Sequence, residues 1–142
     1  MFSNSKTCFG CLLFSDKKKN KISIHSKATI LATGGGCGLY SQSSNPSSTS
    51  GDGIALGLNA GATVRDMEFI QFHPTVFSKD GAQNFLISEA IRGEGGQLVN
   101  HSKVRFMENY SKQLELAPRD VVAKAIFNEM RTNGEKNVFL SL

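Results

Sequence analysis

The stretch ATILATGGGCG, residues 28–38, constrains the fold most, because an apolar run leads directly into consecutive glycines. The run 28–32 lacks the alternation of a half-buried strand and predicts a strand buried on both faces, as in a parallel sheet. Open α/β sheets bind ligands at the carboxyl ends of their strands, so Gly34–Gly36 could contact a large planar or phosphorylated ligand. A tight strand-to-helix turn explains the same glycines, since the pattern is neither GxGxxG nor a P-loop.

Length and composition place the chain among ordinary globular domains. Its 142 residues can bury one core without disulfides, and 39% apolar with 20% charged residues exclude a wholly disordered chain. Three cysteines do not indicate a disulfide framework. The CFGC stretch at 8–11 is typical of strand residues, with metal or redox use as the alternative, and we predict no metal site.

The charge and hydropathy patterns bear on partners and location. The net charge of +4 comes largely from lysines at 17–19 and 21, which are typical of a solvated turn. No aromatic residues interleave with them, so we expect no nucleic-acid partner. No apolar run approaches about 20 residues, so no transmembrane segment is predicted. Basic residues follow the first apolar stretch, the wrong order for a signal peptide, and a cytoplasmic location is therefore expected.

Periodicity and turn residues predict the order of elements in the first part of the chain. Residues 8–25 read as a hairpin with DKKKN at its turn. The polar loop 41–51 precedes a helix over 52–62 that Asp52 is expected to cap. Residues 63–72 then read as a strand.

The second part of the chain predicts two helices and a hairpin. A short helix is expected over 84–92, followed by a hairpin over 97–107 with NHSK at its turn. Pro118 opens a last helix at 118–131. Its predicted buried side consists of Val121, Val122, Ala125, Ile126 and Phe127.

Polar residues in this second part could carry chemistry. His73 precedes Pro74, which favours an extended backbone and an imidazole projecting from a strand end. Ser88, Glu89 and Arg92 combine a hydroxyl, a carboxylate and a guanidinium within about one helical turn. A structural histidine and a surface ion pair are the alternative interpretations.

Arg119 stands at the start of the last helix, where a cation is disfavoured by about 0.3–1 kcal/mol. A surface arginine that carries this small penalty is one interpretation. An anionic substrate is the other, because helix N-terminal amides and a guanidinium fork would then face the same carboxylate.

Taken in order, the motifs resemble the succinate dehydrogenase / fumarate reductase flavoprotein family over about residues 27–142. They are ATILATGGGCGLY, SGDGIALGLNAGA, RDMEFIQFHPT, FLISEAIRGEGGQLVN and ELAPRDVVAKAI. The resemblance implies an α/β (α+β) fold, with the last part of a Rossmann-like FAD-binding domain at 1–67 and most of a capping domain at 68–142. Pro118 and Ala90 favour the branch that oxidises L-aspartate over the respiratory branch, which usually has Ser and Gly there.

The resemblance also implies roles for individual residues. Thr33, Gly34, Gly35 and Asp52 would contact FAD. His73 and Ser88 would bind a substrate carboxylate, and Arg119 would bind substrate and transfer a proton, with Glu89 and Arg92 as its relay. A guanidinium stays protonated at neutral pH, so Arg119 could act as a base only by passing the proton on at once; binding carboxylate alone is the other role.

The implied reaction converts L-aspartate to iminoaspartate in NAD biosynthesis, with hydride transferred to the flavin, which oxygen or fumarate then reoxidises. The family begins with a GxGxxG turn that this sequence lacks, so we expect an internal fragment that alone binds FAD weakly or not at all and is inactive. The missing remainder of the enzyme is an expected partner. A succinate dehydrogenase or fumarate reductase fragment and a non-catalytic remnant are the alternatives.

Overall fold

The computed structural model describes residues 2–3, 7–79 and 85–142. It divides the chain into two compact units, Met1–Phe69 and Ile70–Leu142. The mixture of helices and small sheets confirms the predicted mixed class. The boundary lies two residues after the predicted one, and the assignment of the units to FAD-binding and capping domains stays a prediction.

Among its described residues, the first unit contains an antiparallel sheet in the order β1-β2-β3 and one α-helix. Their bounds are β1 Phe2–Ser3, β2 Cys8–Ser15, β3 Asn20–His25 and α1 Asp52–Asn59. The predicted hairpin is confirmed, since β2 and β3 pair with Ser15 opposite Asn20 on either side of the lysine turn. The alternation of Ile22 and Ile24 with polar neighbours on the return arm, together with the turn-forming DKKKN segment, explains why this element could be predicted from local sequence.

The predicted buried strand at 28–32 is wrong. This stretch joins no sheet within the described residues, and its Ile30 is 92% exposed. A strand buried on both faces needs paired neighbours and covering layers, and the described part of the unit supplies neither. The predicted strand at 63–72 is wrong for the same reason, and it is interrupted by a turn at 67–68.

Helix α1 starts by a different device from the predicted aspartate cap. Gly51 occupies the N-cap position in the left-handed region, at φ 83°, and Asp52 is the first helical residue. No side chain caps the helix, so the predicted capping role of Asp52 is wrong. The helix ends at Asn59, before the predicted end at 62, where the amide of Ala60 turns back onto the carbonyls of the last turn.

In the part of the second unit that the structure describes, there are two two-stranded antiparallel sheets and two α-helices. Their bounds are β4 Val76–Phe77, β5 Phe85–Leu86, α2 Glu89–Gly93, β6 Gln97–Val99, α3 Arg119–Asn133 and β7 Phe139–Ser141. The helix predicted over 84–92 is therefore shorter, and residue 84 lies outside the described residues. Its first part pairs as β5 with β4 instead, where the rings of Phe77 and Phe85 stack at 4.8 Å.

The hairpin predicted over 97–107 forms only in part. Its turn is confirmed, because the Asn100 amide donates to the Val104 carbonyl and the Asn100 side chain accepts from the Val104 amide, both at 3.0 Å. The arms share a single bridge, Val99 with Arg105. Strand β6 instead pairs along its length with β7, a partner some 40 residues away that local pattern could not indicate.

Helix α3 packs on the core of the second unit. It begins directly after Pro118 and ends at Gly134, whose φ of 67° is the left-handed conformation that glycine favours at a helix end. The core residues are Leu98, Phe106, Met107, Ala117, Val122, Ala125 and Ile126. Val121 packs at the edge of this core, but Phe127 is 58% exposed, so its predicted burial is wrong. Across the part of the chain that the structure describes, no helix has the length and apolar character to span a bilayer.

Two neighbouring residues of α3 provide a test of this packing. Ile126→Ala removes a side chain that is only 9% exposed and should lower the free energy of unfolding by about 3 kcal/mol. Phe127→Ala is the matched control and should change it by less than about 0.5 kcal/mol. Urea unfolding monitored by circular dichroism measures both, and equal losses would contradict the observed face of α3.

Candidate functional site

Arg119 forms the centre of the polar cluster in the second unit. It is the first residue of α3, and its Nε and Nη2 both donate to Oε2 of Glu89, at 3.0 and 2.5 Å. Its Nη1 lies 3.5 Å from Oε1 of Gln71, and its side chain is 43% exposed. The carboxylate of Glu89 therefore offsets the unfavourable placement of a cation at the helix N-terminus.

Glu89 bridges two guanidinium groups. While Oε2 accepts from Arg119, Oε1 lies 3.6 Å from Nη2 of Arg92. The hydrogen bond from Arg119 is the main cause that lowers the pKa of Glu89, burial opposes it in second place, and the neighbouring Arg119, Arg92 and His73 groups add weaker electrostatic effects that lower it further. Glu89 is therefore ionised at neutral pH and can accept hydrogen bonds or a proton.

Arg92 is buried, so the alternative interpretation of Glu89 and Arg92 as a surface ion pair is wrong. Arg92 is only 2% exposed, and its Nη1 donates to the main-chain carbonyl of Glu115 at 2.6 Å. Its Nε and Nη2 have no hydrogen-bond partner among the described atoms, and only the 3.6 Å ion pair with Glu89 faces Nη2. Because buried N–H groups are normally paired, this guanidinium is held less firmly than its burial suggests.

Glu115 is buried and contacts Arg92 through its main-chain carbonyl. Its carboxylate accepts from the Leu98 amide at 2.9 Å and from Nε and Nη2 of Arg105 at 3.1 and 2.5 Å. Burial by itself raises the pKa of Glu115, but hydrogen bonds from Arg105 and then Leu98 outweigh it, so the pKa is lowered. Contacts therefore run from Arg105 to the Glu115 carboxylate, from the Glu115 main-chain carbonyl to Arg92, and from Arg92 through Glu89 to Arg119.

His73 is oriented by the backbone of Thr75. Its Nδ1 lies 3.0 Å from the Thr75 carbonyl oxygen and 3.3 Å from the Thr75 amide nitrogen. If Nδ1 accepts from the amide, Nε2 carries the proton and can donate to an anion; the protonated ring can donate from both nitrogens. Thr75 is itself fixed by Ile87, through its hydroxyl at 3.1 Å and through a main-chain bond at 3.0 Å.

Ser88 lies between Ile87 and Glu89 and forms the N-cap of α2. Its Oγ accepts from the Ala90 amide at 3.2 Å, which leaves the hydroxyl proton available for donation. The pairing of Thr75 with Ile87 thus brings the His73 segment beside Ser88, and the ion pair of Glu89 adds Arg119. The structure brings the five predicted residues of the second unit together, while their catalytic and binding roles stay predictions.

Sequence reasoning missed four residues of this cluster: Gln71, Thr75, Arg105 and Glu115. Gln71 could have been found, because it precedes His73 by two positions and so shares its side of an extended chain. The ion pair of Arg105 with Glu115 had no local signal, since the two residues meet only through the packing of their loops around β6.

The predicted cofactor residues lie in the first unit and form a turn of closely packed backbone. A Cβ on Gly53 would stand 1.8 Å from Oγ1 of Thr33, so Thr33 packs directly on the start of α1, beside Asp52. Gly34 has a φ of 79°, and a Cβ on Gly35 would meet nothing within 4 Å. The backbone at Gly35 is therefore open on its Cβ side, while the roles of Thr33, Gly34, Gly35 and Asp52 as FAD contacts stay predictions.

The chain is similar to known proteins along nearly its whole length. The model of a family described as FAD binding domain matches residues 2–142. L-aspartate oxidase of Synechocystis sp. is 52% identical over 123 residues, which cover 83% of this chain and 22% of that protein. L-aspartate oxidase 2 of Ralstonia nicotianae is 49% identical over 123 residues, which cover 86% and 23%. The chain thus spans less than a quarter of the length of these two relatives.

Solved structures give the same picture. A mutant of the E. coli quinol fumarate reductase subunit FrdA superposes with a TM-score of 0.75 at 33% identity, over 87% of this chain and 24% of that one. A quinol-fumarate reductase with menaquinol molecules gives 0.69 at 35% identity, over 80% and 21%. These matches confirm the flavoprotein resemblance and, at the level of the family, the FAD cofactor.

The contact between Gly53 and Thr33 predicts a coupled effect. Gly53→Ala should destabilise the first unit by about 1–3 kcal/mol, because the new methyl group overlaps Oγ1 of Thr33. In a Thr33→Gly background the same substitution should stabilise α1 by up to about 1 kcal/mol, as alanine favours helix. Gly57→Ala is the control, since its nearest neighbours lie 3.8 Å away. Hydrogen exchange of α1 amides measures each effect, and additivity of the two substitutions would contradict the contact.

The lowered pKa of Glu115 predicts a loss of stability in acid. A carboxylate with a lowered pKa in the folded state stabilises fully above the ordinary value of about 4.3, and this contribution is lost as the pH falls through the lowered pKa. Glu115→Gln should therefore cost about 1–3 kcal/mol at pH 7 and progressively less below about pH 4. Unfolding free energies from about pH 7 to 3 test this, with the exposed Glu94→Gln as control. A cost that does not change with pH would contradict the charge-based role.

Proposed function

Because the chain belongs to the FAD binding domain family, we propose that it forms part of an FAD-dependent L-aspartate oxidase, an enzyme that converts L-aspartate to iminoaspartate. The observation that carries the proposal is the cluster of Arg119, Glu89, Arg92, His73 and Ser88 in a chain about half identical to L-aspartate oxidases. Identities of 33% and 35% to fumarate reductases make a succinate or fumarate enzyme the second candidate.

The substrate is a dicarboxylate, and the cluster offers donors suited to it. Arg119 has committed Nε and Nη2 to Glu89, while Nη1 has only a long contact to Gln71 and can donate to a carboxylate. His73 can add an Nε2 donor and Ser88 a hydroxyl donor. Charge-assisted hydrogen bonds of this kind would orient L-aspartate and fix which carbon faces the oxidant.

In the proposed enzyme, Thr33, Gly34, Gly35 and Asp52 contribute to holding FAD. The open space beside Gly35 and the left-handed Gly34 support this assignment, since both allow close backbone approach. When bound, FAD accepts the hydride that leaves the α-carbon of L-aspartate.

Two roles for Arg119 fit this geometry. As an anchor, it holds a substrate carboxylate through Nη1 and remains charged throughout. As a proton carrier, it must pass a proton on at once, and the ionised Glu89 is positioned to take it through the 2.5 Å contact. In both roles Glu89 keeps the guanidinium oriented.

The proposal includes a place in NAD biosynthesis, a cytoplasmic location and an interaction with the rest of the enzyme. A lack of turnover when this chain is joined to the remaining sequence of a relative would instead favour a non-catalytic remnant.

A graft tests the function. The matching segment of the Synechocystis L-aspartate oxidase is replaced by this chain, and flavin reduction by L-aspartate and by succinate is measured anaerobically. We expect reduction by L-aspartate. In the graft, Arg119→Ala should retain bound flavin, because Arg119 lies outside the proposed FAD residues, and should lose turnover by about 100-fold or more.

Two controls sharpen this result. Arg119→Lys keeps the charge but loses the two-donor fork to Glu89, so it should recover only part of the activity. Lys124→Ala removes an exposed cation from the same helix and should leave turnover unchanged. Full activity of the Arg119→Ala graft would refute the assignment, and reduction by succinate alone would favour the second candidate.

A further inference from the structure

Resting on the proposed function, we propose that Glu115 and Arg105 are positioning residues. Through the main-chain carbonyl of Glu115 they hold the buried guanidinium of Arg92 beside Glu89, and so set the charge that orients Arg119. Neither residue contacts a proposed substrate group directly, so their effect passes through Arg92.

The dependence on one carbonyl follows from the contacts of Arg92. Among the described residues, the Arg92 guanidinium has one hydrogen-bond acceptor, the Glu115 carbonyl, which Nη1 contacts at 2.6 Å. Nε and Nη2 have no hydrogen-bond acceptor there, and the ion pair of Nη2 with Glu89 is long, at 3.6 Å. A buried guanidinium with two unpaired nitrogens will turn towards any new acceptor within reach, because an unsatisfied N–H is costly in a low-dielectric interior.

Glu115 could itself be that acceptor. Its carboxylate belongs to the same residue as the carbonyl that Arg92 already contacts, and it is 3% exposed. Arg105 occupies it with two donors, at 3.1 and 2.5 Å, and the Leu98 amide takes a further place. Arg105 therefore keeps the Glu115 carboxylate from competing with Glu89 for Arg92.

Removal of Arg105 should shift Arg92 from the Glu89 carboxylate to the Glu115 carboxylate. The buried carboxylate of Glu115 would lose its cation, and Arg92, whose Nη1 already contacts the main-chain carbonyl of the same residue, would turn towards it and away from Glu89. Glu89 would then keep Arg119 as its hydrogen-bond partner but lose part of the influence of Arg92. Its carboxyl group would become easier to protonate.

The test is a carbon-13 NMR titration of the Glu89 carboxyl group in the full chain, assigned with Glu89→Gln. All variants carry His73→Gln, so that the neighbouring imidazole does not titrate in the same window. Arg105→Met should shift the titration midpoint of Glu89 upward. Adding Glu115→Gln to Arg105→Met removes the competing charge and should restore the midpoint. Lys124→Met, which removes an exposed cation of an ion pair, is the matched control and should not move it.

Two results would overturn the proposal: an unmoved Glu89 midpoint in folded Arg105→Met, or a shift that persists when Glu115→Gln is added. Amide spectra of α3 report whether each variant folds. If Arg105→Met does not fold, Arg105→Lys, which keeps the cation but loses the fork, should give a smaller upward shift, and no shift would again overturn the proposal.

The titration requires neither FAD nor turnover, so its outcome does not depend on whether the aspartate oxidase assignment is right. In an active graft, Arg105→Met should lower kcat and displace its pH profile, with a smaller change in the KM for L-aspartate. A change confined to KM would contradict a positioning role through Arg92 and Glu89.

Discussion

One carboxylate, that of Glu89, holds the polar cluster of the second unit together. It accepts two donors of Arg119 on one oxygen and faces Arg92 with the other. Without it, two guanidiniums would stand near one another and one of them would occupy a helix N-terminus, where positive charge is already in excess. The positions of α2 and α3 at this point are thus linked by charge as well as by apolar packing.

This arrangement leaves the site with more positive than negative charge. Arg92 is buried, Arg119 is partly exposed, and a single negative group lies between them. Under the proposed function, an arriving dicarboxylate would meet a region where guanidinium, imidazole and hydroxyl donors are already oriented, so little of its binding energy would be spent on rearranging them. The carboxylate of Glu89 also reduces the repulsion between the two guanidiniums before any ligand binds.

The sequence predicted the elements that depend on short-range rules and failed where distant partners decide. The β2–β3 hairpin was readable from alternation and a lysine turn, and α3 from Pro118 and its apolar spacing. The stretch 28–32 was misread because its apolar residues lack partners in the described chain, and β6 pairs with β7 rather than within its hairpin. Sequence reasoning singled out His73, Ser88, Glu89, Arg92 and Arg119, whose roles stay predictions, but not Glu115, which meets Arg92 across 23 positions.

The contact between Gly53 and Thr33 also limits how this turn can diverge over evolution. A larger residue at 53 is tolerable only after the side chain at 33 has shrunk, because the two would otherwise occupy the same volume. The order of replacements is therefore fixed, and the intermediate would lose the Thr33 hydroxyl before gaining anything at 53. Lineages that keep Thr33 should remain confined to glycine at the neighbouring helix start, whatever selection acts on the rest of the chain.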